Sequence, residues 1–179
     1  MNQHIRWGLP DDGHTTPIYA GPPQDMDRVA EFANERGVKH IRFGGDQWRL
    51  QENGALLEAV TPTGAWRAQG DGDSLKQSET VVVDADRHHV TITAEDKNNF
   101  VLDLDGMKAG QFSAANRGVR NLHVEFEGEG AGLPLDVQVF LSFVARTWME
   151  DRMVSSTWRL TVGMLLLIPF VIAYWVLFK

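Results

Sequence analysis

The stretch 134–153, "PLDVQVFLSFVARTWMEDRM", decides how the rest of the chain is read. Pro134 is well placed at a first helical position, where its missing N–H is not needed. Over about four turns Val137, Phe140, Leu141, Val144, Ala145 and Trp148 then occupy most of the helix circumference. A surface helix keeps a polar face, so one that is apolar nearly all round has to be enclosed by other structure. Polarity returns only at Glu150, Asp151 and Arg152. The preceding residues must therefore build an enclosure.

Their pattern is that of strands. From Val38 to about Phe126 the hydrophobic period is two, with turn signals between runs. Three segments resemble one another: "WRLQENGALLEAV" (48–60), "TVVVDADRHHVTI" (80–92) and "FVLDLDGMKAGQF" (100–112). Each holds an apolar strand, a tight turn and a second strand. Asn53-Gly54 and Asp105-Gly106 are strong hairpin signals, because the favoured two-residue turn needs positive φ; Asp84-Ala85-Asp86 is a weaker one. "VRNLHVEFEG" (119–128) adds a strand, and "TPTGAWRAQGDGDSL" (61–75) adds a turn, a short strand around Trp66 and a Gly/Asp loop. Successive antiparallel hairpins of this kind predict a β-meander closed into a barrel or folded into a sandwich.

On the N-terminal side, residues 1–24 carry Pro10, Pro17, Pro22 and Pro23 among glycines, which predicts an irregular arm pinned by Trp7, Ile18 and Tyr19. "DMDRVAEFANERG" (25–37) predicts a short helix, capped by Asp25, apolar at Met26, Val29, Ala30 and Ala33, and ended by Gly37.

On the C-terminal side, no charged residue occurs from Leu160 to Phe178. A helix needs about 20 apolar residues to cross a hydrocarbon core. Trp158 and Arg159 flank one end of the run; Tyr174, Trp175 and Lys179 flank the other. Gly163 and Pro169 are tolerated in such a helix and mark where a second helix packs closely. Arg146, Arg152 and Arg159 precede the run and only Lys179 follows it, so the positive-inside rule places the upstream residues in the cytoplasm. The first residues have no apolar secretory core. The expected organisation is an arm (1–24), a cytoplasmic β-rich domain with its central helix (25–154) and a transmembrane anchor (158–178) in the cell membrane. Arg146, Arg152, Trp158, Arg159, Tyr174, Trp175 and Lys179 are its expected interface residues.

Hairpins with Asp-Gly turns, followed by one very hydrophobic helix ending in an Asp-Arg cluster, resemble the tubby-like fold of the LURP-one-related and phospholipid scramblase families. "NNFVLDLDGMKAGQF", "VRNLHVEFEG" and "VFLSFVARTWMEDRM" carry the likeness over Asn98–Met153. The resemblance implies a β-barrel around a central C-terminal helix and a lipid-binding or lipid-handling role. The cysteine-rich and proline-rich features of animal scramblases are absent, so scrambling itself is not implied.

Composition narrows the function. With no cysteine, thiol chemistry, disulfides and zinc–thiolate sites are excluded. All 24 acidic residues but only 15 of the 17 basic ones precede Trp158, a net of −9 before the apolar run. That sign argues against nucleic acid and against broad adhesion to an anionic leaflet. The densest polar cluster, Asp84, Asp86, His88 and His89, has metal-ligand residue types, but adjacent histidines on a strand point to opposite faces. Asp103 and Asp105 share a face and offer a carboxylate pair, with the simpler role for Asp105 being its turn. Lys108, Arg117 and Arg120 form a modest basic grouping. "GEGAG" (128–132) lacks the lysine and hydroxyl of a phosphate loop and reads as a linker. No catalytic motif and no cofactor signature is present. The expectation is a non-enzymatic accessory subunit that binds an integral membrane protein, with membrane lipids as the alternative partner.

Overall fold

The computed structural model describes residues 3–10, 13–96, 98–113 and 122–152. Twelve strands follow in order: β1 (Gln3–Trp7), β2 (Thr15–Gly21), β3 (Asp27–Glu35), β4 (Val38–Phe43), β5 (Asp46–Asn53), β6 (Leu56–Thr61), β7 (Gly64–Gly70), β8 (Thr80–Ala85), β9 (His88–Ala94), β10 (Asn99–Leu104), β11 (Met107–Ser113) and β12 (His123–Phe126). Each pairs antiparallel with its successor, and β12 returns to pair with β1, so the meander closes into a barrel. Closure leaves no unpaired edge. Across the closing pair His4 Nδ1 and His123 Nε2 lie 2.7 Å apart, one ring donating to the other.

Helix α1 (135–152) runs through the lumen. Its contacts come from every side of the ring. Trp7 of β1 donates its indole N–H to Ser142 Oγ at 3.1 Å. Phe32 of β3 stacks on Phe143 at 6.3 Å, Trp66 of β7 meets Phe140 edge-on at 5.7 Å, and Phe100 of β10 meets Trp148 at 5.0 Å. Inward residues Ile5, Ile18, Ile41, Leu57, Val81, Ile92 and Val124 complete the core at 0% exposure. Each such side chain contributes roughly 1.5–3 kcal/mol of burial, which is why a helix with no polar face is stable here and nowhere on a surface.

The helix enters at one rim and leaves at the other. At the entry rim lie the β4–β5, β6–β7, β8–β9 and β10–β11 turns, together with residues 127–134. There the expected linker is a 3-10 turn, Gly128–Gly132, seated on β11. Glu127 N–H donates to the Ala109 carbonyl at 2.9 Å, and a Cβ on buried Gly130 would collide with that same carbonyl. The segment is thus a fitted closure rather than a spacer. Pro134 stands just before the helix, its carbonyl accepting the Gln138 N–H at 3.0 Å, so it caps α1 rather than opening it.

Two sequence expectations are overturned. Residues 1–24 are not an irregular arm, because β1 and β2 are two staves of the barrel. Pro17 is accommodated beside the register shift between Ile18 and Tyr19, where the ladder is already interrupted. Residues 25–37 are not a helix but β3 and the turn after it. Ala30 faces the lumen at 4% exposure, while Ala33, on the opposite face, is covered to 1%. Burial on both faces produces the three-residue spacing that imitates a helix stripe. One further shift is small: the β5–β6 tip is Gly54–Ala55 rather than Asn53-Gly54, since Asn53 still pairs with Leu56. The Asp105–Gly106 tip is as expected, both residues having positive φ (54° and 82°).

The apolar run at 158–178, with Trp158, Arg159, Gly163, Pro169, Tyr174, Trp175 and Lys179, lies outside the described residues. Among the described residues no helix is long and apolar enough to cross a membrane.

Candidate interaction surface

The barrel separates the polar residues into two walls and a rim. On the β8–β11 wall the acidic groups singled out in the sequence are consumed locally. Asp84 and His89, opposite one another on β8 and β9, pair at 2.5 Å with both side chains exposed. His88 lies opposite Ala85 instead, so the two histidines do diverge. Asp86 occupies the turn tip at φ 54° with Arg87 at 3.4 Å. Among the described residues no group of three or more candidate ligands could hold a metal ion. Asp103 Oδ1 accepts the Gly106 N–H at 2.7 Å, so Asp103 and Asp105 together shape one hairpin turn rather than a reactive pair. Lys108 donates to Glu127 at 2.9 Å and to Gln111 at 2.8 Å; the bond to Glu127 holds its ammonium above the usual lysine range. Arg117 and Arg120 lie outside the described residues.

At the exit rim, Arg146 and Arg152 are engaged by the barrel itself. The Arg146 guanidinium lies 4.5 Å from the Trp7 ring and its Nε donates to Glu150 at 2.8 Å. Arg152 packs between Phe100 and Trp148, at 5.2 and 5.0 Å, and donates to the Ser78 carbonyl at 2.5 Å. Burial pushes the Arg152 guanidinium below its ordinary value, opposed by the charges of Glu79 and Asp71. Both arginines fix α1 in the barrel mouth through cation–π contacts. Their sequence signal, cations ending an apolar helix, does not distinguish that task from anchoring at a lipid interface. Beside them burial, then Glu52, raises the Asp151 carboxyl above the usual carboxylate range.

The β3–β5 wall carries a surface that sequence reading did not single out. Ile41, Trp48 and Leu50 point inward, so alternation turns His40, Arg42 and Arg49 outward. Near the exit rim a concavity of about 730 Å³ is lined by His14, Asn34, Glu35, Arg36, His40 and Gln47, among others. A second, of about 410 Å³, extends to the Gly44–Gly45 turn and shares Gln47 with the first. Arg42 joins them, bonding Glu35 at 3.1 Å and approaching Glu31 at 3.6 Å; Arg28 bonds Glu31 at 2.8 Å. His40 is 3% exposed, yet its Nε2 has no hydrogen-bond partner, the nearest carboxylate being Glu35 at 3.6 Å. Arg36 sits on the β3–β4 turn at φ 53°. Neither Arg36 nor Arg49 makes an ion pair among the described residues. Four arginines and two histidines here face three acids, Glu31, Glu35 and Asp46, in a chain whose overall charge is −7. Counting charges by strand face, rather than along the chain, is the signal that would have found this surface.

No protein-family model matches the chain, and no curated protein or solved structure matches it either.

Proposed function

We propose that the chain is a single-pass, tail-anchored protein of the cell membrane whose barrel is a non-catalytic binding domain on the cytoplasmic side. In this reading it serves as an accessory subunit of a larger membrane assembly. The observation that carries the reading is the uncharged run Leu160–Phe178, flanked by aromatic residues and cations, which follows a helix that reaches a barrel rim. The barrel supports it further by filling its own interior with α1, which leaves the outer walls and rims as the surfaces for recognition. The test is a chain ending at Ser156, compared with the intact chain by membrane fractionation and by protease added outside sealed cells. The intact chain should sediment with membranes and keep its barrel protected, while the shortened chain should become soluble. Equal membrane retention of both, or digestion of the barrel from outside, overturns the reading.

A second reading is favoured by one observation: the closed barrel around a single helix is the architecture that the tubby-like resemblance implies. It makes the barrel a lipid-binding module. The net of −9 before Trp158 opposes it on anionic membranes.

A further inference from the structure

We propose that the outer face of β3–β5 docks an extended, acidic polypeptide segment of a partner protein. This deepens the accessory-subunit reading and rests on it.

The geometry selects the class of ligand. Six residues of β4 separate the Arg36–Gly37 turn from the Gly44–Gly45 turn, a span of about 20 Å at strand rise. The cations are distributed along that length, from Arg36 through Arg49 and Arg42 to Arg28. A single phosphate or carboxylate needs donors converging on one point. This surface instead offers separated cations with Glu31 and Glu35 between them, which suits a chain presenting several carboxylates in sequence. The local excess of positive charge in a chain of net −7 supplies the complementarity. It is far too small for a nucleic-acid backbone, which takes many unopposed cations. A flat bilayer surface does not enter a concave wall.

Three features indicate that the surface awaits an occupant. Arg36 and Arg49 are exposed and make no ion pair among the described residues. His40 Nε2 is buried without a partner, and a buried polar atom left unsatisfied is costly unless something completes it. The two concavities lie side by side on this wall, with Gln47 lining both. Because the barrel is closed, a docked segment cannot add as a strand; side chains must read it, and the association must weaken with salt.

The experiment uses the full chain in neutral detergent micelles and a fluorescein-labelled peptide alternating Glu and Ser, followed by anisotropy at low and high salt. Lys–Ser and Gln–Ser peptides serve as comparisons. Binding of the Glu peptide alone, lost at high salt and weakened about tenfold or more in the Arg36→Glu/Arg49→Glu variant, is the expected result. Asp84→Lys/Asp86→Lys on the opposite wall should leave it unchanged, and Arg36→Gln/Arg49→Gln should give an intermediate loss. No binding, equal binding of the three peptides, or indifference to the arginine variants overturns the proposal. So does binding to phosphatidylserine vesicles in the absence of peptide binding, or a concentration-dependent dimer, seen by sedimentation, that the arginine variant abolishes. Micelles make the readout independent of membrane insertion. Failure here together with loss of membrane association on truncation at Ser156 would leave the anchored-subunit reading standing without this face.

Discussion

The β8–β11 wall and the β3–β5 wall rest on the same core and are built of the same antiparallel pairs, yet they use their charges differently. On the first, Asp103 closes a turn, Asp84 holds His89, Asp86 lies beside Arg87 and Lys108 holds Glu127. On the second, Arg36 and Arg49 are uncommitted among the described residues and His40 keeps a buried nitrogen without a partner. A charge bound to its own backbone or to a neighbour contributes to folding. A charge left over at a concave surface contributes little to folding and remains available for recognition. Dense polar clusters in the sequence thus marked structural turns, while the recognition surface is spread over three strands.

If the walls differ in use but not in foundation, damage to α1 must take both down together. Phe140 is fully buried and meets Trp66 at 5.7 Å. Phe140→Ala should cost about 3–5 kcal/mol, the usual range for a large-to-small change in a core. Chemical denaturation followed by tryptophan fluorescence and by far-UV circular dichroism should show one shared, shifted transition. Two transitions, one wall surviving the other, would break the comparison by making the barrel two cooperative units.

The next effect is smaller and separates the walls. Asp103→Ala removes the acceptor of the Gly106 N–H and should cost about 1 kcal/mol, as loss of a local side-chain-to-backbone bond does. Arg49→Ala should stay within about 0.5 kcal/mol of the parent, like other surface changes away from structural features. Denaturation midpoints measured side by side decide it. An Arg49→Ala loss equal to that of Asp103→Ala would mean that the β3–β5 charges are structural after all.

These contrasts show what was legible in the sequence. The enclosure of α1 followed from Val137, Phe140, Leu141, Val144, Ala145 and Trp148, because a helix apolar nearly all round needs cover on every side. The Asp105–Gly106 turn followed because positive φ at two successive residues is chemistry that Asp and Gly declare locally. β3 did not follow, since Ala33 is covered on the outer face by its surroundings and alternation fails wherever both faces are buried. β2 did not follow, since Pro17 reads as a breaker until the register shift beside it is known. His40, Arg42 and Arg49 share a surface only after β4 and β5 are paired in register, so spacing along the chain could not assemble them. Arg146 and Arg152 read as membrane-interface residues, because their spacing does not declare the rings of Trp7, Phe100 and Trp148 that receive them.

The smallest expected effect lies at the exit rim, beside the β3–β4 end of the basic wall. Partial burial against the barrel mouth, then the neighbouring Glu52 charge, raises the Asp151 carboxyl, with Lys39 opposing and Glu150 adding to the effect. A raised acid favours the folded state only while it is protonated. Its contribution is therefore complete below the unfolded value of about 3.9 and is lost as pH rises through the folded value. At neutral pH Asp151→Asn should unfold slightly later than the parent, by a few tenths of a kcal/mol because Asp151 is exposed at the rim and screened by solvent. Thermal midpoints across pH supply the check: the gap between the two proteins should be open at neutrality and should close below about pH 4. A constant gap would show that ionisation of Asp151 is not its cause, and a parent that is the more stable at neutral pH would place Asp151 in a favourable pair with Lys39 and extend the committed charges of the opposite wall onto this rim.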